Sequence, residues 1–277
     1  MDTARKGFAG VWLKTVGLTL VLALFIFPFI FLLINSFKAN TAITSNPLSL
    51  PQSLDWTNYR NAFEKMSYTA SFINSLTVTV LGVALISLFA AMTAHYFVRN
   101  QTKFNQYTFM MMVAAMIIPF QAIMIPLVKI YGTLNMLDNK WALIYMYLGF
   151  GSPLAVFIYH GFVKGVPAEL EEAALIDGCT RTQTFFRIVF PVLAPTTATI
   201  SILNVLWIWN DFLLPSLILV SPHNRTLPLS TFSFYGTYSV DYGPLMAGLV
   251  LTILPVMLVY LFAQRYIIQG VMQGSIK

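Results

Sequence analysis

Six stretches of this chain contain no Asp, Glu, Lys or Arg: 15–37, 66–98, 104–128, 141–163, 188–210 and 242–264. Each is at least 23 residues long, and about 20 apolar residues in a helix cross a hydrocarbon core about 30 Å thick. Hydrocarbon offers the backbone no hydrogen bonds, so a spanning segment must be a helix or part of a closed barrel. A barrel would show alternating segments of about ten residues, and these stretches are continuous instead. The chain is 57% hydrophobic and 9% charged, where an ordinary soluble domain has about 25% charge. The expected fold is an all-α integral membrane protein forming one domain. Its six spans lie at about 13–37, 70–98, 105–130, 141–163, 190–212 and 243–264. Pro28, Pro119, Pro126 and Pro255 fall within these spans, where the missing N–H favours kinks.

Arg5, Lys6 and Lys14 precede the first apolar run, as in a signal peptide. That run, 16–34, is longer than a typical signal core and leads into "NSFKAN" without a small-residue cleavage pattern, so an uncleaved first span is expected. Cys179 is the only cysteine, which excludes an intrachain disulfide and leaves no thiol pair for a structural metal. The net charge is +6, but the positive residues lie scattered along span edges without a basic stripe, which speaks against nucleic acid. Segments 1–14, 99–103, 164–187 and 265–277 hold ten Lys or Arg in 56 residues; 38–65, 129–140 and 211–241 hold six in 71. This bias favours both termini in the cytoplasm.

Charge is not spread evenly. Seven of the 26 charged residues fall between Lys164 and Arg187. Within that loop "VPAELEEAALIDG" has the punctuation of a short helix. Pro167 suits the first position, Glu169, Glu171 and Glu172 favour the positive end of the dipole, and Gly178 suits the left-handed residue beyond the end. Leu170, Ala173 and Ala174 form a small apolar face. A second helical stretch is expected at about 179–187. Small residues flanked by acids fit the groove of a protein partner. A helix lying on lipid would carry Lys and Arg instead.

The loop resembles the EAA loop of permease subunits of bacterial ABC importers: Glu-Ala-Ala, three residues, Gly, nine residues, then Ile-x-Leu-Pro. Here the pattern is carried by Glu172, Ala173, Ala174, Gly178, Ile188 and Pro191, with Phe190 in place of leucine. "SFINSLTVTV" through "HYFVR", "IPFQAIMIPL", "WNDFLLPSLIL" and "QRYIIQGVMQGSIK" extend the resemblance to the maltose-type sugar permease family, in particular its smaller subunit. The resemblance implies a type I importer transmembrane fold working with a second homologous permease, a cytoplasmic ATPase dimer and an extracytoplasmic sugar-binding protein. It also implies that Glu172, Ala173, Ala174, Asp177 and Gly178 couple to the ATPase. Loop 221–243 would face the binding protein, and the tail 269–277 would run between the ATPase subunits. ATP and Mg would be bound by the partner, because the chain has no Gly-Lys pair and hence no P-loop.

From the residues alone, polar groups at membrane depth usually face a bundle interior or a watery path. Asn204, Asn210 and Asp211 are therefore candidate translocation-path residues. Trp207 and Trp209 either stack on a sugar ring or sit in the interfacial aromatic belt. The segment 221–243 is either a binding loop or a flexible connector. His95 and His160 are expected to be structural. No paired carboxylates or nucleophile elbow point to catalysis. An ion-coupled secondary transporter is the rival reading, but the charge-free spans carry no acid to couple an ion. The family resemblance, rather than any residue here, implies an oligosaccharide as cargo, with a polyol or glycerol-phosphate as the alternative.

Overall fold

The computed structural model describes residues 2–275, with side chains for 11–12, 14–262 and 264. The tail 269–277 therefore lies outside the residues whose side chains are described. In chain order the helices are α1 Asp2–Asn35, α2 Asn40–Ser45, α3 Thr57–Lys65, α4 Tyr68–Arg99, α5 Lys103–Ala115, α6 Phe120–Thr133 and α7 Lys140–Val163. They continue as α8 Glu169–Ile176, α9 Arg181–Thr184, α10 Phe190–Val192, α11 Ala194–Asn210, α12 Leu213–Ile218, α13 Leu227–Ser230 and α14 Tyr242–Ser275. A π-helical turn, Phe185–Val189, joins α9 to α10. Among the described residues, Lys14–Asn35, Tyr68–Arg99, Lys140–Val163 and Tyr242–Phe262 are long and apolar enough to cross a membrane. Two bent pairs raise the number to six when each pair counts as one span.

The segment 105–130, expected as one span, is broken. α5 and α6 meet at 104° across residues 116–119. Pro119 explains the break: it has no N–H and disfavours helical backbone at Ile118 before it. Pro119 itself is extended (φ −68°, ψ 138°) as the residue capping α6. The segment 190–212 likewise bends by 75° at Leu193, between Pro191 and Pro195. At Pro28, Pro126 and Pro255 the helices run on unbroken, because a membrane helix can lose one N–H bond and re-satisfy the freed carbonyl locally.

The chain divides into two compact units, Met1–Tyr68 with Thr231–Leu254, and Thr69–Ser230 with Pro255–Lys277. In the first unit Lys38 is buried, and its ammonium donates to Asn35 Oδ1 at 3.1 Å and to the carbonyl of Pro47 at 3.1 Å. The Asn58 amide donates to the carbonyls of Ser36 and Lys38 at 2.9 and 2.8 Å. These bonds order the cap 38–65. Phe37, Trp56 and Tyr59 pack within it at ring-centroid distances of 5.2 Å. The same unit holds a small hairpin bridged by Tyr235 and Val240, with Tyr238 fully exposed at its tip.

In the second unit α4 buries a stripe of small side chains: Ser71, Ser75, Thr79, Gly82, Ser87, Ala90, Ala91 and Ala94. Small residues at three- and four-residue spacing let helix backbones approach closely where lipid gives no hydrophobic drive between them. α7 and α11 fill the space with Tyr147, Tyr159, Ile200 and Ile208. Hydrogen bonds add register: Ser87 Oγ with Ser201 Oγ at 3.2 Å, and Tyr159 OH to Thr197 Oγ1 at 2.8 Å.

The segment 221–230 is tied down, which excludes a loose connector there. Asn74 Nδ2 donates to the carbonyls of His223 and Arg225 at 2.8 and 3.2 Å, and Leu227 N donates to Ser75 Oγ at 2.7 Å. Asp138, in a left-handed conformation (φ 55°), accepts from Val220 N and Ser221 N at 3.0 and 2.9 Å and from the Ser221 hydroxyl. Burial opposes ionisation of this carboxyl, but the hydrogen bonds outweigh it and bring its pKa down to about 2.

Gly151 marks the tightest crossing. A Cβ there would stand 2.5 Å from Ile86 Cδ1 and 3.1 Å from Asn204 Oδ1. Gly151→Val should destabilise the chain by about 1–3 kcal/mol through overpacking, read as a lower melting temperature in detergent. Gly149→Val, where a Cβ meets nothing within 4 Å, should leave it unchanged.

Candidate functional site

The loop between α7 and α11 forms a helix, a turn and a second helix. α8 begins at Glu169, two residues after Pro167, so the proline precedes the helix rather than opening it. Glu169, Glu171 and Glu172 occupy its first turn. Its end is a Schellman motif. Gly178 is left-handed (φ 85°), its N–H donates to the Leu175 carbonyl at 3.1 Å, and Cys179 N donates to the Ala174 carbonyl at 2.9 Å. Thr180 then opens α9 with a capping box: Gln183 N donates to Thr180 Oγ1 at 3.3 Å and Thr180 N donates to Gln183 Oε1 at 2.8 Å. The two helices are thus locally encoded.

The two adjacent glutamates are sorted by the helix. Glu171 turns inward to the end of α4, where His95 Nε2 lies 2.8 Å from Oε2 and Arg99 Nε donates to Oε1 at 2.8 Å. A second Arg99 nitrogen donates to the Val166 carbonyl at 2.8 Å. The Phe185 ring stands 5.4 Å from the His95 ring and closes the other side. Burial tends to raise the Glu171 pKa, but the bonds and charges of His95 and Arg99 prevail and hold it below the ordinary carboxylate value. Glu172, roughly a hundred degrees further round the helix, is exposed, as are Leu170, Ala173, Ile176 and Asp177. Ile176 is 86% exposed. Ala174, expected on the outer face, is buried within the chain instead.

His95, Arg99 and Glu171 were not singled out by the sequence as functional. The available signal was a histidine and an arginine four residues apart at the end of a span, facing a loop with more acids than an N-terminal turn needs.

The candidate path residues separate. Asn204 is buried on α11; its amide donates to the Ile200 carbonyl at 2.9 Å and its oxygen faces Gly151. Asn210 is exposed and donates to its own helix at Leu206. Asp211 lines a cleft of about 890 Å³ together with Trp207 and the broken turn at 116–119.

Residues 84–273 match the family described as binding-protein-dependent transport system inner membrane component. The chain belongs to that family. It is a multi-pass membrane permease rather than an enzyme. Among curated relatives, "Probable starch degradation products transport system permease protein AmyC" of Thermoanaerobacterium thermosulfurigenes is 43% identical across 99% of both chains. The multiple sugar-binding transport system permease protein MsmG of Streptococcus mutans is 36% identical over 95% of this chain and 96% of its own. A solved bacterial ABC transporter involved in the import of the acidic polysaccharide alginate shares the fold, with a TM-score of 0.80 at 20% identity, covering 92% of this chain and 95% of that one.

The glutamate pair makes a separable prediction for this permease. Glu171→Ala leaves Arg99 largely buried without its carboxylate and should cost about 1–3 kcal/mol of stability, whereas Glu172→Ala should fall within about 0.5 kcal/mol. The lowered pKa of Glu171 means that its contribution is complete above the ordinary value of 4.5 and is lost as pH falls through the folded value. Melting curves in detergent should show wild type losing more stability than Glu171→Gln on acidification below about pH 5.

Proposed function

We propose that this chain is one of two related permease subunits of an ATP-driven importer for oligosaccharides. The observation that carries this reading is the α8 surface: exposed Leu170, Ala173 and Ile176 beside exposed Glu172 and Asp177. Exposed leucine and isoleucine on a short acidic-fronted helix outside the spans are suited to a partner's groove. The proposed occupant of that role is a cytoplasmic ATPase dimer that binds ATP and Mg. Glu172 and Asp177 supply acidic contacts, Ala173 permits close approach, and Gly178 sets the angle between α8 and α9. Ala174 acts from beneath by seating the helix.

Glu171 gives the arrangement a route inward. When closure of the ATPase moves α8, the bonds to His95 and Arg99 carry that displacement to α4. Both termini would lie in the cytoplasm on this reading, which the excess of Lys and Arg on that side supports. The exposed hairpin with Tyr238 at its tip is assigned to the side of the solute-binding protein. Relatives named for the transport of starch degradation products and of multiple sugars support an oligosaccharide as cargo.

The test is sugar uptake by proteoliposomes containing this chain, its partner permease, the ATPase and the binding protein. Glu172→Gln and Gly178→Val should each lower uptake about tenfold or more while the complex still assembles, the valine being strained in a left-handed conformation. Full uptake by both variants would refute the coupling role.

A further inference from the structure

The cleft that contains Asp211 is not a by-product of loose packing. It is built by the break between α5 and α6, by α7 and by the junction of α11 with α12. Its volume, about 890 Å³, lies in the roughly 300–1,000 Å³ range of small-molecule sites. Irregular backbone within a membrane is tolerated where protein buries it or where it borders water. Ile117 and Ile118 at the break are 83% and 55% exposed, so this chain does not bury the turn. A cleft open to water beside it would meet the requirement.

One end of the cleft is chemically specific. The buried Tyr147 hydroxyl donates to Asp211 Oδ2 at 2.8 Å, and Leu213 N donates to Oδ1 at 3.0 Å. These two donors fix the plane of the carboxylate, which remains partly exposed. A carboxylate has about four acceptor positions, so it retains capacity for further donors. Trp207 lies next to it, packed edge-on against Tyr147 at a centroid distance of 5.4 Å and still 41% exposed. Gln121 and Tyr145 add polar groups to the same cleft.

An oriented acceptor beside an open aromatic ring suits a ligand with hydroxyls at its rim and an apolar C–H face. A lipid chain would bring the carboxylate no donor beyond Tyr147 and Leu213 and leave its remaining acceptor positions unmet, which is costly in hydrocarbon. We propose that this cleft is a sugar-ring subsite carried by this chain itself, with Trp207 as the stacking surface, Asp211 as the hydroxyl acceptor and Tyr147 as the residue that positions Asp211. The inference rests on the reading of the chain as a sugar-importer permease and adds where on it the sugar binds.

The complete importer in proteoliposomes, supplied with binding protein loaded with maltotriose or with raffinose, separates the possibilities. Trp207→Ala should lower uptake of the transported sugar about tenfold while Trp207→Phe retains most of it, because an aromatic face is preserved. Asp211→Asn should change the preference between the two sugars, since it exchanges an acceptor for a donor; a purely structural fault would slow both equally. In a Cys179→Ser background, Gln121→Cys offers a single thiol in the cleft. Its labelling by a small charged methanethiosulfonate should be suppressed by loaded binding protein with ATP and not by unloaded binding protein.

Wild-type uptake of either sugar, with unchanged uptake in Trp207→Ala and labelling indifferent to sugar, overturns the subsite and leaves the importer reading intact. A Gln121→Cys thiol already shielded by the partner permease before sugar is added assigns the cleft to a subunit contact and also overturns it. Failure of wild type to move any oligosaccharide defeats the importer reading, and the subsite falls with it.

Discussion

The carboxylate of Glu171 is the joint through which the charged loop and the membrane-spanning helices of the second unit hold each other. Its oxygens meet His95 on one side and Arg99 on the other, and Arg99 also takes the Val166 carbonyl. Such a cluster is stiff, since charge-assisted bonds from a guanidinium fix direction as well as distance. It is also vulnerable, because removing one partner leaves an ion largely out of water. A helix of only eight residues has little stability of its own. α8 keeps its place through this cluster, through buried Ala174 and through the Schellman turn at Gly178. Glu172 is left exposed. Two neighbouring residues of the same type therefore have unlike surroundings, because helical geometry points them in different directions.

Much of the helical framework is legible in the sequence, since lack of charge is a direct record of an apolar solvent. The breaks are less so. Of the prolines in the charge-free stretches, Pro119 stands where a helix stops and restarts, whereas Pro126 and Pro255 stand inside continuous helices. A missing N–H is the same local fact in each case. What differs is whether neighbouring helices and water allow the chain to turn, and that is a property of packing. The EAA pattern locates the loop residue by residue, but it does not fix the rotation of α8 about its axis. Rotation decides that Ala174 and Glu171 point inward and Ala173 and Glu172 outward. It is set by docking on His95 and Arg99, 72 or more residues earlier in the chain.

The polar residues near the end of α11 show the same limit. Asn204, Asn210 and Asp211 are equally polar and close in sequence. On the helix, one is pressed against Gly151, one bonds to its own backbone in the open, and one is held by Tyr147 at the rim of a cleft. Only tertiary contact separates a packing amide from a group with spare hydrogen-bonding capacity.

α4 brings these features into one mechanical scheme. It is 32 residues long, about 48 Å at 1.5 Å per residue. One end carries His95 and Arg99, bound to the loop. The other carries Asn74 and Ser75, bound to 223–227, and Asn74 Oδ1 also accepts from Lys140 Nζ at 3.2 Å. Between them the helix buries the small side chains of Thr79, Gly82, Ser87, Ala90 and Ala91 together with Val78, Val83 and Ile86. A helix pinned at both ends is suited to small movement as a rigid body, the shear type of transition. In the proposed importer, movement of the loop would thus reach the opposite end of the second unit without unfolding anything between. Ile208, which sits against Gly82 of α4, is three residues from Asp211. A shift of α4 would press on the same short stretch of α11 that shapes the cleft, so the loop and the cleft would be coupled through one helix.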